Sequence, residues 1–244
     1  MHHVVLERWS RGASPLHRRD ARAKAIALVV FLILLATCHV NLAPLGVLYF
    51  VLLLSVIRFA RLPLAGALVR SAIVLPFSLV FATVSLLAGD PGRAASLLIK
   101  SYLSALAVLT LISTTPLPNL LRGLEQMGVP HFLLMVSQFL YRYLFVISEE
   151  AQHMRIAATS RGSSVRGFVA HKERFRAAAG ALAVLFARSY ARAERIHRSM
   201  ISRGFVGKFR LLAAPGFGWK DLAFLAVALA LPAAARLAAE RWPV

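Results

Sequence analysis

Acidic residues are scarce in this 244-residue chain: 10 Asp and Glu stand against 29 Lys and Arg, for a formal charge of +19. The few acids are dispersed, which argues against an enzyme that works through clustered carboxylates at a membrane face. Glu149 and Glu150 are adjacent, but neighbouring helical positions point about 100° apart and do not share a face. His153, four residues after Glu149, is the expected local partner. Cysteine is nearly absent, with Cys38 alone inside an apolar run, so no internal disulfide framework exists. The eight histidines include no i, i+4 pair and no H-E-x-x-H, which leaves no zinc-hydrolase pattern. His2-His3 in the leader is read as an exposed pair rather than a metal site. No G-x-x-x-x-G-K-[ST] phosphate loop occurs, so this chain carries no such ATPase machinery of its own. Ser163-Ser164 has no His or Asp arrangement around it that supports nucleophilic catalysis.

What is abundant is apolar: 59% of residues are hydrophobic, against about 45–50% in a soluble domain. Such hydrophobicity coexists with strong positive charge when apolar spans lie in lipid and basic loops lie in cytoplasm. The organisation reads as a basic cytoplasmic leader over 1–24, four transmembrane helices over 25–114, a cytoplasmic module over 115–218, and a last transmembrane helix with a short tail over 219–244. The leader ends at Lys24 and has no cleavable signal pattern, so the first apolar stretch is expected to be retained. Residues 25–57 are too long for one span and fit a tight hairpin turning near Asn41–Pro44. Further spans are expected over 71–89, with Pro76 inside, over 94–114, where Lys100 is placed to snorkel, and over 221–239, with Pro232 inside. The lysine and arginine bias places the N-terminus, the 58–70 loop and the module on the cytoplasmic side.

Within 115–218 charge is scattered and no uncharged run reaches span length. A short amphipathic helix is predicted over 118–127 and longer helices over about 131–160 and 172–202. Arg188, Arg192 and Arg195 share one face of the last, and Tyr190, Ala193, Ile196 and Met200 fall on another. The two long helices end alike, in Ser160-Arg161-Gly162 and Ser202-Arg203-Gly204. A glycine just past a helix adopts the left-handed conformation cheaply, and a cation in the last turn suits the helix dipole. An ordinary cap is therefore one reading of each tripeptide. The other is recognition: a guanidinium on a protruding tip offers a planar five-donor fork to a partner. Five Arg-Gly pairs occur in the chain, a modest enrichment, and the placement of two of them at helix ends is what gives the repeat weight.

These residues resemble the transmembrane T component of energy-coupling factor (ECF) transporters, the CbiQ/EcfT family, over nearly the whole chain. The leader from Ser14-Pro15-Leu16-His17 through Asp20, Arg22 and Lys24 is similar to the segment that precedes that family's first span; Arg19 and Ala21 depart from its usual Leu and Pro. Tyr141-Arg142-Tyr143, Glu149-Glu150 and Ala157 to Gly162 resemble the first coupling helix, and Met200 to Gly207 the second signature. The extended leader and its Ser-Pro-Leu-His element look most like the cobalt/nickel branch.

The resemblance implies an all-α integral membrane protein with about five transmembrane helices and crossed amphipathic coupling helices. It also implies a non-catalytic subunit of an ABC-type importer in a bacterial or archaeal cytoplasmic membrane. Arg161 and Arg203 are then the residues that dock into grooves on two ABC ATPases, with Gly162 and Gly204 as helix stops and Ser160 and Ser202 as flanking positions. The other implied partner is a substrate-binding S component, CbiM-like, with or without a small CbiN-like subunit. ATP and Mg are held by the partner ATPases, no cofactor by this chain, and nucleic acid is not an expected partner. Motion of the coupling helices would topple the S component and release cobalt or nickel inward. A T component for a vitamin such as biotin, or one shared among several S components, is the alternative. A membrane-bound lipid enzyme or an anionic-polymer binder is a distant one.

Overall fold

The computed structural model describes residues 9–10, 12, 14–38, 42–161, 171–207 and 218–241. Its elements are all helical: α1 Ala21–Ala36, α2 Leu42–Phe59, α3 Leu64–Ser71, a 3-10 turn Ala72–Val74, α4 Leu75–Leu87, α5 Pro91–Thr114, α6 Leu117–Gln126, α7 His131–Ser160, α8 His171–Ile201 and α9 Trp219–Arg241. They fall into two units, 1–128 with 214–244, and 129–213.

By length and composition, four stretches among the described residues suffice to cross a membrane: Leu64–Leu87, Pro91–Thr114, His131–Ser160 and Trp219–Ala238. Pro44–Phe59 is a shorter apolar helix. The fold class is the expected one, an all-α membrane protein, but two spans are drawn differently. The third begins at Leu64 rather than at residue 71. Arg70 lies inside it because its guanidinium carbon sits 4.0 Å over the Trp9 ring, and the ring's negative face offsets the charge. The proline inside this stretch also leaves its mark. Pro76 has no N–H to give and crowds the carbonyl four residues back, and the 3-10 turn Ala72–Val74 falls there before α4 resumes. The second difference is α7. Its first part carries one charge, Arg142, in an otherwise apolar stretch and so suffices by composition, although it contains no uncharged run of span length.

In the first unit, apolar side chains of α1, α2 and α5 form the core, with Leu45, Tyr49, Ile57, Leu103 and Leu106 essentially fully buried. Phe31 and Tyr49 pack with ring centroids 5.2 Å apart. The Tyr49 hydroxyl donates to the Pro232 carbonyl at 3.2 Å, which ties α2 to α9 where that helix carries its internal proline. The outer faces are also apolar: Phe77, Val69 and Leu87 are largely exposed. A fold that exposes such residues in contiguous faces is solvated by something other than water.

Polar groups gather at the two ends of this unit. At one end Lys100, expected to snorkel, instead caps α1, donating to the Ala36 carbonyl at 3.0 Å and the Cys38 carbonyl at 2.6 Å. These are among the carbonyls that a helix end leaves without partners. At the other end the leader folds against the bundle. Ser14 Oγ and His17 Nδ1 are 2.6 Å apart, His17 Nε2 lies 2.9 Å from the Trp9 carbonyl, and Leu16 enters the core. Asp20 caps α1 by accepting from the Arg22 N–H at 2.9 Å. Its own N–H donates to Asp221 Oδ1 at 3.1 Å, so the leader is pinned to the start of α9.

Lys24, the last residue before the apolar run, is buried. Its ammonium donates to the Thr114 carbonyl at 3.0 Å and to Thr115 Oγ1 at 3.1 Å. Burial pushes its pKa down from 10.5 to about 8, and the carboxylates of Asp20 and Asp221 only partly oppose this. Gly123 of α6 lies against α1; a β-carbon there would stand 3.2 Å from that of Ala21.

Helix ends in both units use one device. In the Schellman arrangement the residue after the cap takes a left-handed conformation and two N–H groups bond back into the last turn. Gly89 (φ 83) does this after α4, with its own N–H on the Leu86 carbonyl and that of Asp90 on Ser85. Gly204 (φ 78) repeats it after α8. The third case, after α2, is built on Arg61 (φ 56), the one non-glycine residue with positive φ among those described. Its N–H donates to Arg58 at 3.1 Å and that of Leu62 to Ile57 at 3.2 Å.

Candidate functional site

The second unit is a pair of long helices. Gly128 (φ 93) ends α6, and Pro130 stands at the N-cap of α7, where its fixed φ suits a helix entry. The 30 residues of α7 rise about 45 Å at 1.5 Å each. It packs on α8 through aromatic side chains, Phe139 and Tyr143 from α7 and Phe186 and Tyr190 from α8, which border a cavity of about 460 Å³ between the helices. Little is buried: Leu134 is the one buried residue of α7, and no described residue of α8 is. Phe132, Leu140, Phe175 and Phe186 are mostly exposed. Long helices with so little of their apolar surface buried depend on lipid or protein for packing.

One ionic clamp crosses the pair. Arg188 of α8 donates to Glu150 of α7 at 2.6 Å, and Arg192 stands 3.7 Å from the same carboxylate. The basic face of α8 therefore turns partly toward α7. Glu150, whose neighbour Glu149 was given a local histidine partner in the sequence, finds its own partners 38 and 42 positions away. Within one helix Arg198 pairs with Glu194 at 2.7 Å.

The two tripeptides lie where expected, at the C-terminal ends of α7 and α8. Arg161 is the C-cap of α7 (φ −86, ψ 13), its N–H donating to the Ala157 carbonyl at 3.2 Å. Gly162 lies outside the described residues. After α8, Gly204 donates to the Ile201 carbonyl at 2.9 Å and Phe205 to Met200 at 3.0 Å, which completes the cap through backbone alone. The serine hydroxyls bond back along their own helices: Ser160 Oγ donates to the Ile156 carbonyl at 3.0 Å and Ser202 Oγ to that of Ser199 at 3.0 Å. Each hydroxyl is thus spent on its own helix, and the arginine is the member of each tripeptide left outward. Arg161 and Arg203 are exposed, and neither has a side-chain partner among the described residues. Arg155, Arg176 and Arg195 share that freedom, so it is position at a helix end that sets Arg161 and Arg203 apart.

Sequence reasoning missed the Lys24–Asp20–Asp221 cluster, which needs residues 201 positions apart in one place, and the left-handed Arg61. The spacing of Asp20 four residues before Lys24, at a helix start, was the only local signal for the first; nothing in the sequence marks the second. Among the described residues no group of three or more His, Cys, Asp or Glu side chains is placed to hold a metal ion.

Apolar helices long enough to span a bilayer define an all-α integral membrane protein. The chain belongs to the CbiQ family, described as cobalt transport protein, whose model matches residues 12–211. It is 31% identical to the cobalt transport protein CbiQ of Rhodobacter capsulatus over 154 residues, 63% of this chain and 61% of that protein. The alignment thus spans less than two thirds of that relative. Similarity to the energy-coupling factor transporter transmembrane protein EcfT extends further: 28% over 98% of this chain and 97% of the Bacillus selenitireducens protein. With that of Acidaminococcus fermentans it is 26%, over 84% of each.

Proposed function

We propose that this chain is the energy-coupling T subunit of an ECF-type importer, with cobalt, or nickel, as the cargo. Arg161 and Arg203 engage two ABC ATPase subunits, and the apolar faces of the helices meet a membrane S component. The family description and the relative named for cobalt transport support the cargo, and the relatives named for energy coupling support the role. The observation that carries the docking assignment is the pair of exposed guanidinium groups, unpartnered among the described residues, at the ends of α7 and α8. Arginine binds carboxylates and carbonyls as a rigid fork, so a tip of this kind transmits force with a defined orientation. The membrane orientation follows the charge: the leader, Arg58, Arg61 and Lys220 would face the cytoplasm with the coupling module, where the ATPases lie. On this reading α7 belongs to the coupling module despite its apolar first part, which would lie against lipid or the S component.

The test is co-purification from mild detergent. Arg161→Glu with Arg203→Glu should abolish recovery of the ATPases while leaving the thermal midpoint of the purified chain unchanged. Each single loss removes charge-assisted hydrogen bonds of about 1.5–3 kcal/mol before repulsion is added. Full-strength association of the double variant would falsify the docking role.

A further inference from the structure

The first unit carries a basic bowl whose cations the transport reading uses only for membrane orientation. Arg18 and Arg19 from the leader, Arg61 after α2, and Lys220 at the start of α9 line a cavity of about 880 Å³ with Pro15, Trp219 and Asp221. A second cavity of about 460 Å³ shares Pro15 and Arg61 with it and adds Ser55, Arg58 and Phe59. Asp221 is the one acid, and its oxygens already accept from the backbone N–H groups of Asp20 and Gly218. None of the five cations has an ion pair or side-chain hydrogen bond among the described residues. Five unpaired cations drawn to one rim repel one another, an arrangement that an anion relieves.

Arg61 sharpens the case. The same Schellman cap is built on glycine at Gly89 and Gly204, where the left-handed conformation is cheap. At position 61 an L residue occupies it at a conformational cost. Capping alone is served better by glycine, so the side chain has a use of its own, and it lines both cavities.

We infer that this bowl binds the headgroup of an anionic phospholipid from the adjoining leaflet. The occupant must be amphipathic because the surroundings are. Phe59 and Trp219 flank the cations and are 63% and 81% exposed, the placement of aromatic side chains at headgroup depth. Below the rim, Phe59, Ser55, Val51 and Leu48 follow at helical spacing on α2, with Val51 and Leu48 exposed, and give an acyl chain an apolar track. Basic pockets between membrane helices on the cytoplasmic side take phosphodiester headgroups by the same chemistry.

The test uses the full chain in nanodiscs of phosphatidylcholine with a minor fraction of phosphatidylglycerol, released for native mass spectrometry to read the retained lipid. Native protein should retain phosphatidylglycerol well above its share of the disc. Arg61→Gly should lower that preference about fivefold, the loss expected for one cation at a membrane surface. Its thermal midpoint should hold or rise, because glycine relaxes the left-handed position, so a folding defect is separated from a binding defect. Adding Arg18→Gln should bring the loss to about 25-fold. Equal retention of the two lipids, or an unchanged preference in the double variant, overturns the inference. Displacement of the lipid by millimolar inorganic phosphate would instead assign the bowl to a free anion, and overturns it as well.

Discussion

Lys24 makes the pH dependence of this fold calculable. The fall in its pKa from 10.5 to about 8 corresponds to about 3 kcal/mol against the charged form in the folded chain. Between those values the unfolded chain holds the proton that the folded chain has released, so stability rises with pH across that interval. Below pH 8 both states are protonated and the full cost of burying the charge is present. The ammonium's two hydrogen bonds, to the Thr114 carbonyl and Thr115 Oγ1, survive deprotonation because a neutral amine still donates twice. Lys24→Met therefore removes both a cost and a benefit. At pH 7 it relieves about 3 kcal/mol of charge burial and loses about 1–3 kcal/mol of hydrogen bonding, for a nearly neutral balance. At pH 10.5 most of the relief is gone and the loss remains. Thermal unfolding of the detergent-purified protein, followed by tryptophan fluorescence, checks this. Relative to Lys24→Met, the native midpoint should climb by roughly 6–12 °C from pH 7.5 to pH 10.5. Using the difference between the two proteins cancels the titration of other groups. Parallel midpoints across that range would refute the assignment of a buried, depressed lysine.

Glu150→Gln breaks the clamp to Arg188 and Arg192; with partners this exposed it should cost less than about 1 kcal/mol of stability. Spin labels at positions 151 and 187 should nevertheless report a broader distance distribution between α7 and α8, and an unchanged distribution would remove the clamp from any account of lever stiffness. Gly204→Ala places a β-carbon in open space at φ 78, so its cost is backbone strain alone, about 1 kcal/mol. ATPase recovery should weaken severalfold while α8 stays helical; loss as complete as the double charge reversal would make the cap itself, rather than Arg203, the recognition element.

Much of this architecture is legible in local sequence. The uncharged runs and the Pro130 and Gly128 boundaries each fix an element through backbone chemistry that depends on near neighbours. The ends of α7 and α8 were readable for the same reason. What was not legible depends on distant residues. Arg70 reads as a loop charge until Trp9 is seen beneath it, and Lys100 reads as a snorkelling cation until the end of α1 is seen beside it. Glu149 and Glu150 suggest a local histidine partner because sequence gives only i+4 neighbours, whereas Glu150's arginines come from the next helix. Composition also misjudges α7: an apolar half interrupted by Arg142 fits a membrane span and a helix lying on a partner equally well.

The tip arginines are informative because the caps do not need them. At the end of α8 two backbone N–H groups and the Ser202 hydroxyl already occupy carbonyls of the last turn, and Gly204 supplies the reversal of the chain. Arg203 adds only a favourable charge at the negative end of the helix dipole, worth about 0.3–1 kcal/mol at an exposed site. At the end of α7 Ser160 likewise takes the Ile156 carbonyl. Under the docking proposal, reversing a residue whose structural contribution is that small should change stability little and ATPase recovery a great deal. The contrast with Arg61 follows from position. There the arginine is itself the left-handed residue, so glycine is the informative substitution. At Arg203 the backbone is already provided for by Gly204 and Phe205, and charge reversal isolates the side chain.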